Sequence, residues 1–344
     1  MEETQINFND NLKTKRVLDA IDSANKELEK LNDLYKENKD YHILINSILV
    51  KEARESTEMD GVYSSFDDVY KYETKNGIRV DEAEEVSNCK KAIWSSFTLL
   101  KKEGYISVNL IKNIEKFVKK DDYYFKKKQG IIDKKTEEER LEEKAKDKYL
   151  SIIEEFVNNS SEDILFKIPL LLLDLEKVKL FKSFNGRIER ILIILYLVQN
   201  KLLEFPILNM SFFFNLNKDV YNELLENIGE NNNLETWIYF VIKGIEQSAK
   251  ESIYLTKEIN EEYEKMNVDF KKACPRGYNR DLAYYLFSEV YTNIGDFIEK
   301  AKVSRLTATN YLKALENYGV LLTERAGRDK IYKNYRLINI LDKI

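Results

Sequence analysis

Apolar residues recur at helical spacing along most of the chain. Between residue 11 and about 38, Val17, Leu18, Ile21, Leu28, Leu31 and Tyr35 fall close to the positions of one helix face, which predicts an amphipathic helix. A second helix is predicted over about 41–55, with Ile43, Leu44, Ile48 and Leu49 turned inward. Glu82 to Leu100 and Val108 to Val118 read as two more, joined by a turn at Gly104. Two segments, Ile164 to Val178 and Ile191 to Val198, are apolar nearly all round and predict buried helices. Ser160 and Ser161 offer caps for the first of them, and Pro169 predicts a bend without a stop. Trp237 to Ile253 predicts the last core helix, and Tyr254 to about Lys272 extends it as a charged connector. Pro275-Arg276-Gly277 then marks a boundary.

Strand patterns occur in two places. Tyr123 to Ile132, aromatic and β-branched around Gly130, reads as a short hairpin. Residues 133–148 are almost wholly charged and read as a solvent-facing helix or connector, with the apolar pattern resuming from Tyr149 to Val157. Beyond the boundary, helices are predicted at Leu282 to Val290, Ile294 to Ala301 and Arg305 to Asn317, with a tight turn at Lys302-Val303-Ser304. Val320 to Glu324 and Lys330 to Tyr335 alternate like strands around a turn at Ala326-Gly327-Arg328-Asp329. That order is a winged helix-turn-helix. Arg305, Thr309, Asn310 and Lys313 on the third helix, with Arg325, Arg328 and Lys330 on the wing, are candidates for meeting a duplex. A protein-binding winged helix is the equal alternative. The pattern divides the chain into 1–80, 81–256, a helical linker at 257–277 and 278–344.

Composition supports a mainly α protein: among 344 residues there are 11 Gly and 3 Pro, against 43% hydrophobic and 33% charged positions. The net charge of −5 excludes nucleic-acid binding by bulk charge and leaves it to a local patch. Cys89 and Cys274 lie far apart and are expected as buried free thiols. The acidic N-terminus lacks a secretory pattern, and the run from Ile191 to Val198 is far short of the ~20 residues a membrane helix needs. A cytoplasmic protein without membrane association is expected. The chain holds one histidine, His42, in an N-terminal helical segment remote from the stretch considered next.

That stretch, Lys179-Leu180-Phe181-Lys182-Ser183-Phe184-Asn185-Gly186-Arg187-Ile188-Glu189-Arg190, separates the two apolar segments. A polar loop running into a helix presents unpaired N–H groups and partial positive charge, which suits an anion. Arg187 and Arg190, three apart, share a face of the first turn and can grip phosphate. On the residues alone, an ordinary Asn-Gly turn is the alternative.

The stretch resembles the signature of the Fic family, His-Pro-Phe-x-Asp/Glu-Gly-Asn-Gly-Arg-x-x-Arg. Phe181, Asn185, Gly186, Arg187 and Arg190 fit it in register, while Lys179 stands at the His, Leu180 at the Pro, Ser183 at the acid and Phe184 at the first Gly. Ser56-Thr57-Glu58-Met59-Asp60-Gly61 resembles the family's inhibitory motif, Ser/Thr-x-x-x-Glu-Gly, with Asp60 at the Glu position and Arg190 as its implied partner. The segment Leu208 to Tyr221 resembles the one that encloses adenosine, with Asn217 and Tyr221 matching and Lys218 replacing Arg. The hairpin at 123–132 falls where the family carries its target-docking flap, with lysines in place of the usual Arg and Trp.

The resemblance implies a helical Fic core and a site for ATP, where active members transfer AMP to a protein hydroxyl. There the His is the base and the acid holds Mg²⁺. Here a lysine, charged near neutrality, replaces the base, serine is a weaker Mg²⁺ ligand than carboxylate, and Phe184 stands where glycine permits close approach. The implied protein keeps phosphate contacts and works by binding nucleotide, protein or DNA. ATP is the implied ligand, and the lost carboxylate argues against Mg²⁺. Altered transfer chemistry using Lys179 is the alternative. Target, partner and oligomeric state, a homodimer included, are left open.

Overall fold

The computed structural model describes residues 10–36, 41–74, 80–119, 137–159, 161–181, 184–228, 233–326 and 329–343. Its longest element is α11 (Asn233–Ala273), an unbroken helix of 41 residues and roughly 60 Å. Helix α1 (Lys15–Lys36) lies along it and buries Val17, Ala20, Ile21, Ala24, Leu28, Leu31 and Tyr35. The Tyr35 hydroxyl reaches Thr256 Oγ1 at 3.3 Å. On another side α11 meets α7 (Ile164–Val178), where Trp237 Nε1 donates to the Pro169 carbonyl at 2.8 Å. Helix α8 (Asn185–Gln199) packs on α7 and is buried at every position from Arg187 to Val198. An all-apolar helix needs neighbours on all sides, and α2 (Tyr41–Met59), α4 (Asp81–Glu103) and α5 (Val108–Val118) supply them.

The remaining helices of this body are α3 (Phe66–Glu73), α6 (Glu137–Asn159), α9 (Met210–Leu216) and α10 (Lys218–Glu226). At the far end of α11 sit α12 (Arg280–Ser288), β1 (Tyr291–Asn293), α13 (Ile294–Ala301), α14 (Arg305–Asn317), β2 (Leu322–Ala326), β3 (Asp329–Lys333) and α15 (Tyr335–Lys343). Their sheet has the order β1-β3-β2, antiparallel throughout, with Tyr291 opposite Lys333 and Glu324 opposite Ile331. The fold is mainly α with one small sheet.

Several expectations are revised. Helix α2 runs past 55 to Met59 and stops where Gly61 takes φ 84°, so Ser56 lies in its last turn. Helix α7 is capped by Asp163, whose carboxylate accepts from the Leu165 and Phe166 N–H groups at 2.8 and 3.3 Å. Asp163 directly precedes the helix and displaces the predicted Ser161 from that role; Ser160 is outside the described residues. The charged residues from 137 and the apolar pattern at 149–157 form one helix, α6. Helices α3 and α15 and strand β1 were not predicted. The hairpin predicted at 123–132 lies outside the described residues. Both cysteines are free and buried, and burial pushes the Cys89 thiol up to about 12. Among the described residues no helix is long and apolar enough to cross a membrane.

Candidate functional site

Helix α7 ends with Lys179 in the left-handed region (φ 47°, ψ 48°), its N–H donating to the Leu175 carbonyl at 3.0 Å. The Lys179 side chain is exposed. Phe181 is buried, and its N–H donates to Asn185 Oδ1 at 2.8 Å, so the first residue of α8 ties the loop shut across itself. Phe184 precedes α8 at φ 65°, ψ 19°. A side chain in that region costs about 1–2 kcal/mol, and the Phe184 ring recovers part of it by stacking on the Arg187 guanidinium, 4.8 Å from its centroid. Lys182 and Ser183 are outside the described residues.

The two arginines point inward and are 1% and 4% exposed. Arg187 Nη1 donates to Glu85 Oε2 at 2.8 Å, and its Nε lies 2.6 Å from Asp60 Oδ2, close in charge though its N–H is not aligned on the oxygen. Arg190 turns to α2, where Nε donates to Ser56 Oγ at 3.0 Å and Nη2 to the Ser56 carbonyl at 2.9 Å. Its distance to Asp60 Oδ1 is 3.9 Å. Asp60 therefore pairs more closely with Arg187 than with Arg190, the partner the motif implied. The reason is geometric: Ser56, one turn earlier, already fills the Arg190 fork, and Asp60 sits beyond the end of the helix. Gly186 permits this, since a Cβ there would lie 2.6 Å from Arg190 Nη1.

Carboxyl groups crowd the same region. Glu52 on α2 is buried and accepts from the Ser211 N–H at 2.8 Å and the Ser211 hydroxyl at 2.5 Å. Burial pushes it up to about 7, against the pull of those hydrogen bonds and of Arg190. Glu189, inside the loop-helix stretch itself, is 1% exposed, and neither oxygen has a donor among the described residues. Burial first, then the charge of Glu176, hold it well above the usual carboxylate range. Tyr221 Oη donates to Glu176 at 2.5 Å, and burial and that carboxylate keep the phenol protonated. Asn217 uses its side-chain amide on the Phe213 carbonyl at 2.8 Å, at the junction of α9 and α10. Lys218 reaches the Met59 carbonyl at 3.1 Å. Arg187 and Arg190 thus share a pocket of structure with Glu52, Asp60, Glu85, Glu176 and Glu189. Glu52, Glu85 and Glu189 carry no motif signal; Glu52 and Glu189 face inward, while Glu85 is half-exposed. His42 is exposed at the start of α2 and lines a separate small cavity with Tyr70, Glu73 and Glu289.

In the C-terminal unit, Lys302 (φ 52°) turns the chain between α13 and α14, and Ser304 caps α14 by accepting from the Thr307 N–H at 3.2 Å. Arg305, Asn310 and Lys313 are exposed on α14, as is Arg325 on β2. Thr309 is half-buried and its hydroxyl donates back to the Arg305 carbonyl at 2.8 Å. Lys330 pairs with Glu316 at 2.6 Å. Arg328 is outside the described residues.

Comparison with known proteins now bears on this geometry. Residues 18–98 match the family model of the Fic/DOC family N-terminal region. Residues 263–337 match that of the protein adenylyltransferase SoFic-like C-terminal domain. The chain belongs to the Fic family. A crystal structure of a Fic family protein from Desulfovibrio desulfuricans G20 shares the fold, with a TM-score of 0.54, 12% identity and coverage of 93% of this chain and 96% of that one. In this Fic protein Ser56, Asp60 and Glu85 all lie within the matched N-terminal region. The groups that hold both loop arginines therefore come from one Fic segment.

Proposed function

We propose that this Fic protein acts by binding rather than by transferring AMP. The observation that carries the reading is the state of the two arginines. Both are buried and already held by protein groups, Arg187 by Glu85 and Asp60 and Arg190 by Ser56. The position that supplies a base in active members holds Lys179, exposed and in a left-handed cap. A protonated lysine cannot take a proton from a target hydroxyl, and Ser183 offers Mg²⁺ less than a carboxylate does. Phosphoryl-type transfer depends on positioned charge around the metal and phosphates, and the groups for it are missing. The ligand the arginines suit, once freed from Asp60, is the phosphate chain of ATP without metal.

Intact-mass spectrometry of the protein incubated with Mg-ATP and candidate target proteins tests the reading. No added AMP is expected on any chain; a gain of one AMP by the wild-type protein or a target overturns it. Calorimetry then compares wild type with Asp60→Ala. Releasing one charged partner of a buried arginine is worth about 1.5–3 kcal/mol to a competing anion, so ATP affinity rises at least about tenfold in the variant. Equal binding in both proteins means the arginines are structural.

A second reading, duplex DNA binding by the C-terminal unit, is favoured by one observation. Arg305, Asn310, Lys313 and Arg325 are all exposed on α14 and β2, which follow a helix-turn-helix order. Salt-dependent binding of a duplex, weakened by Arg305→Ala, is expected; no binding at low salt overturns this reading.

A further inference from the structure

The C-terminal unit touches the main body at a place that the reading of the arginines does not use. Asp67, in the first turn of α3, accepts from Tyr291 Oη of β1 at 2.5 Å and from the Lys333 ammonium of β3. It also pairs with Lys71 at 2.6 Å. Lys71 in turn reaches Glu324 of β2 at 3.1 Å, and Lys333 lies 3.6 Å from the same carboxylate. Both lysines stand over the Tyr291 ring, 5.7 and 5.8 Å from its centroid. All three strands of the sheet thus close on one turn of one short helix. The cluster is a charge network with an aromatic centre and is only partly exposed, which gives it more strength than an isolated surface pair.

Its position along the chain matters. Asp60, which faces Arg187, is followed by a single left-handed turn at Gly61 and a short link to Ser65, the cap of α3. The link is fixed to α2 by Arg54 Nε, which donates to the Ser64 carbonyl at 2.8 Å. Any movement of α3 therefore pulls directly on the turn that carries Asp60. The C-terminal unit has a second attachment, Arg336 of α15 to Glu262 and Asp269 of α11 at 3.3 and 2.8 Å. Helix α15 also packs against α3 and α12 against α2, so the clasp at Asp67 is the charged part of a wider contact.

We infer that the C-terminal unit is the latch for the Asp60 turn: its sheet, clasped to α3 at Asp67, keeps Asp60 over Arg187, and a ligand that draws the sheet away uncovers the arginines. By linkage, whatever binds the C-terminal unit better when unclasped loosens the turn, and whatever displaces Asp60 favours unclasping. The inference rests on the reading of Arg187 and Arg190 as a covered anion site; hydrogen exchange tests the latch without nucleotide, and ATP binding by the same variants tests the site separately.

Hydrogen exchange followed by mass spectrometry on the full-length protein reads the turn in peptides spanning 54–65. Asp67→Ala removes the clasp from the α3 side, and Tyr291→Phe combined with Lys333→Ala removes it from the sheet side. Asp67→Asn replaces Asp67→Ala if that variant fails to fold. Exchange at 54–65 is expected to rise about tenfold in both, with α5 and α8 unchanged. A rise with only one of the two, or with neither, overturns the latch. A rise in both with no change in ATP binding keeps the latch and sinks the anion-site reading instead.

Discussion

Glu52→Gln tests how acidic the wall around the arginines is. Glu52 is 1% exposed and sits against Ser211 and near Arg190. Burial raises its carboxyl to about 7 from an ordinary 4.5. Below the ordinary value both folded and unfolded chains hold the proton. Between the two values only the folded chain does, so stability falls as pH rises through this window and is flat above it. One pKa unit corresponds to about 1.4 kcal/mol, so from about pH 5 to about pH 8 this group removes about 2–3 kcal/mol. Glutamine keeps the shape, accepts from the Ser211 N–H and donates to its hydroxyl, but carries no charge to bury. Urea unfolding at the two pH values measures the difference. Wild type should lose about 2–3 kcal/mol more than the variant across that range; Glu251 and Glu189 contribute equally to both proteins and cancel. Parallel pH dependences would show that Glu52 ionises freely and that the wall is wetter than its burial implies.

Asn185→Ala removes the acceptor for the Phe181 N–H and should cost about 1–3 kcal/mol in urea unfolding; a change below about 0.5 kcal/mol would mean that water replaces it. Gly186→Ala puts a methyl 2.6 Å from Arg190 Nη1, which should push the guanidinium off Ser56 at a cost of about 1–2 kcal/mol. Because the loss runs through Ser56, Gly186→Ala and Ser56→Ala should be less than additive, and strict additivity argues against that path. If the exposed cations of α14 meet DNA phosphates, Arg305→Ala and Lys313→Ala should each lower the salt slope of duplex binding by about 1. At low pH the clasp at Asp67 should weaken. Burial pushes the Asp67 carboxyl up, but hydrogen bonds from Lys333, Lys71 and Tyr291 outweigh it and hold the group below its ordinary value. Its contribution is therefore present above the ordinary carboxylate range and lost as pH falls through the depressed value. Exchange at 54–65 read at acid and neutral pH checks this.

Most helices were legible in the residues. The limits of α5, α13 and α14 match those read from Val108 to Val118, Ile294 to Ala301 and Arg305 to Asn317, because capping residues and turns flank them. Helices α3 and α15 were not. Helix α3, as long as α13, was missed although Ser65 caps it and Phe66, Val69 and Tyr70 form its buried face. The strand pattern ending near Tyr335 hid α15, although Leu337, Ile338, Ile340 and Leu341 form its buried face. In the site, the loop and the inhibitory-type segment do come together, as their motifs suggested. Motif order gave the Asp60–Arg190 pair, at 3.9 Å, but not the closer one with Arg187, because the arginine that Asp60 approaches depends on where α2 ends. Glu85 and Glu189 were invisible for a different reason: half-exposed like Glu85 or buried like Glu189, an acid on a helix looks, in sequence, like one more charged residue.

The unbroken run of α11 has a practical side. Residue 256, where the pattern places the end of the core, lies inside that helix. A fragment stopped there would lose Ile259, Tyr263, Met266 and Phe270, all buried along the second half of the helix. A counterpart begun after 256 would keep Tyr263 against Tyr284 and Phe287 and Phe270 against Tyr278, because the C-terminal helices cover that stripe. The cut would fall at Thr256, the partner of Tyr35 on α1. A partner's grip on the tail is best studied with the rod left whole.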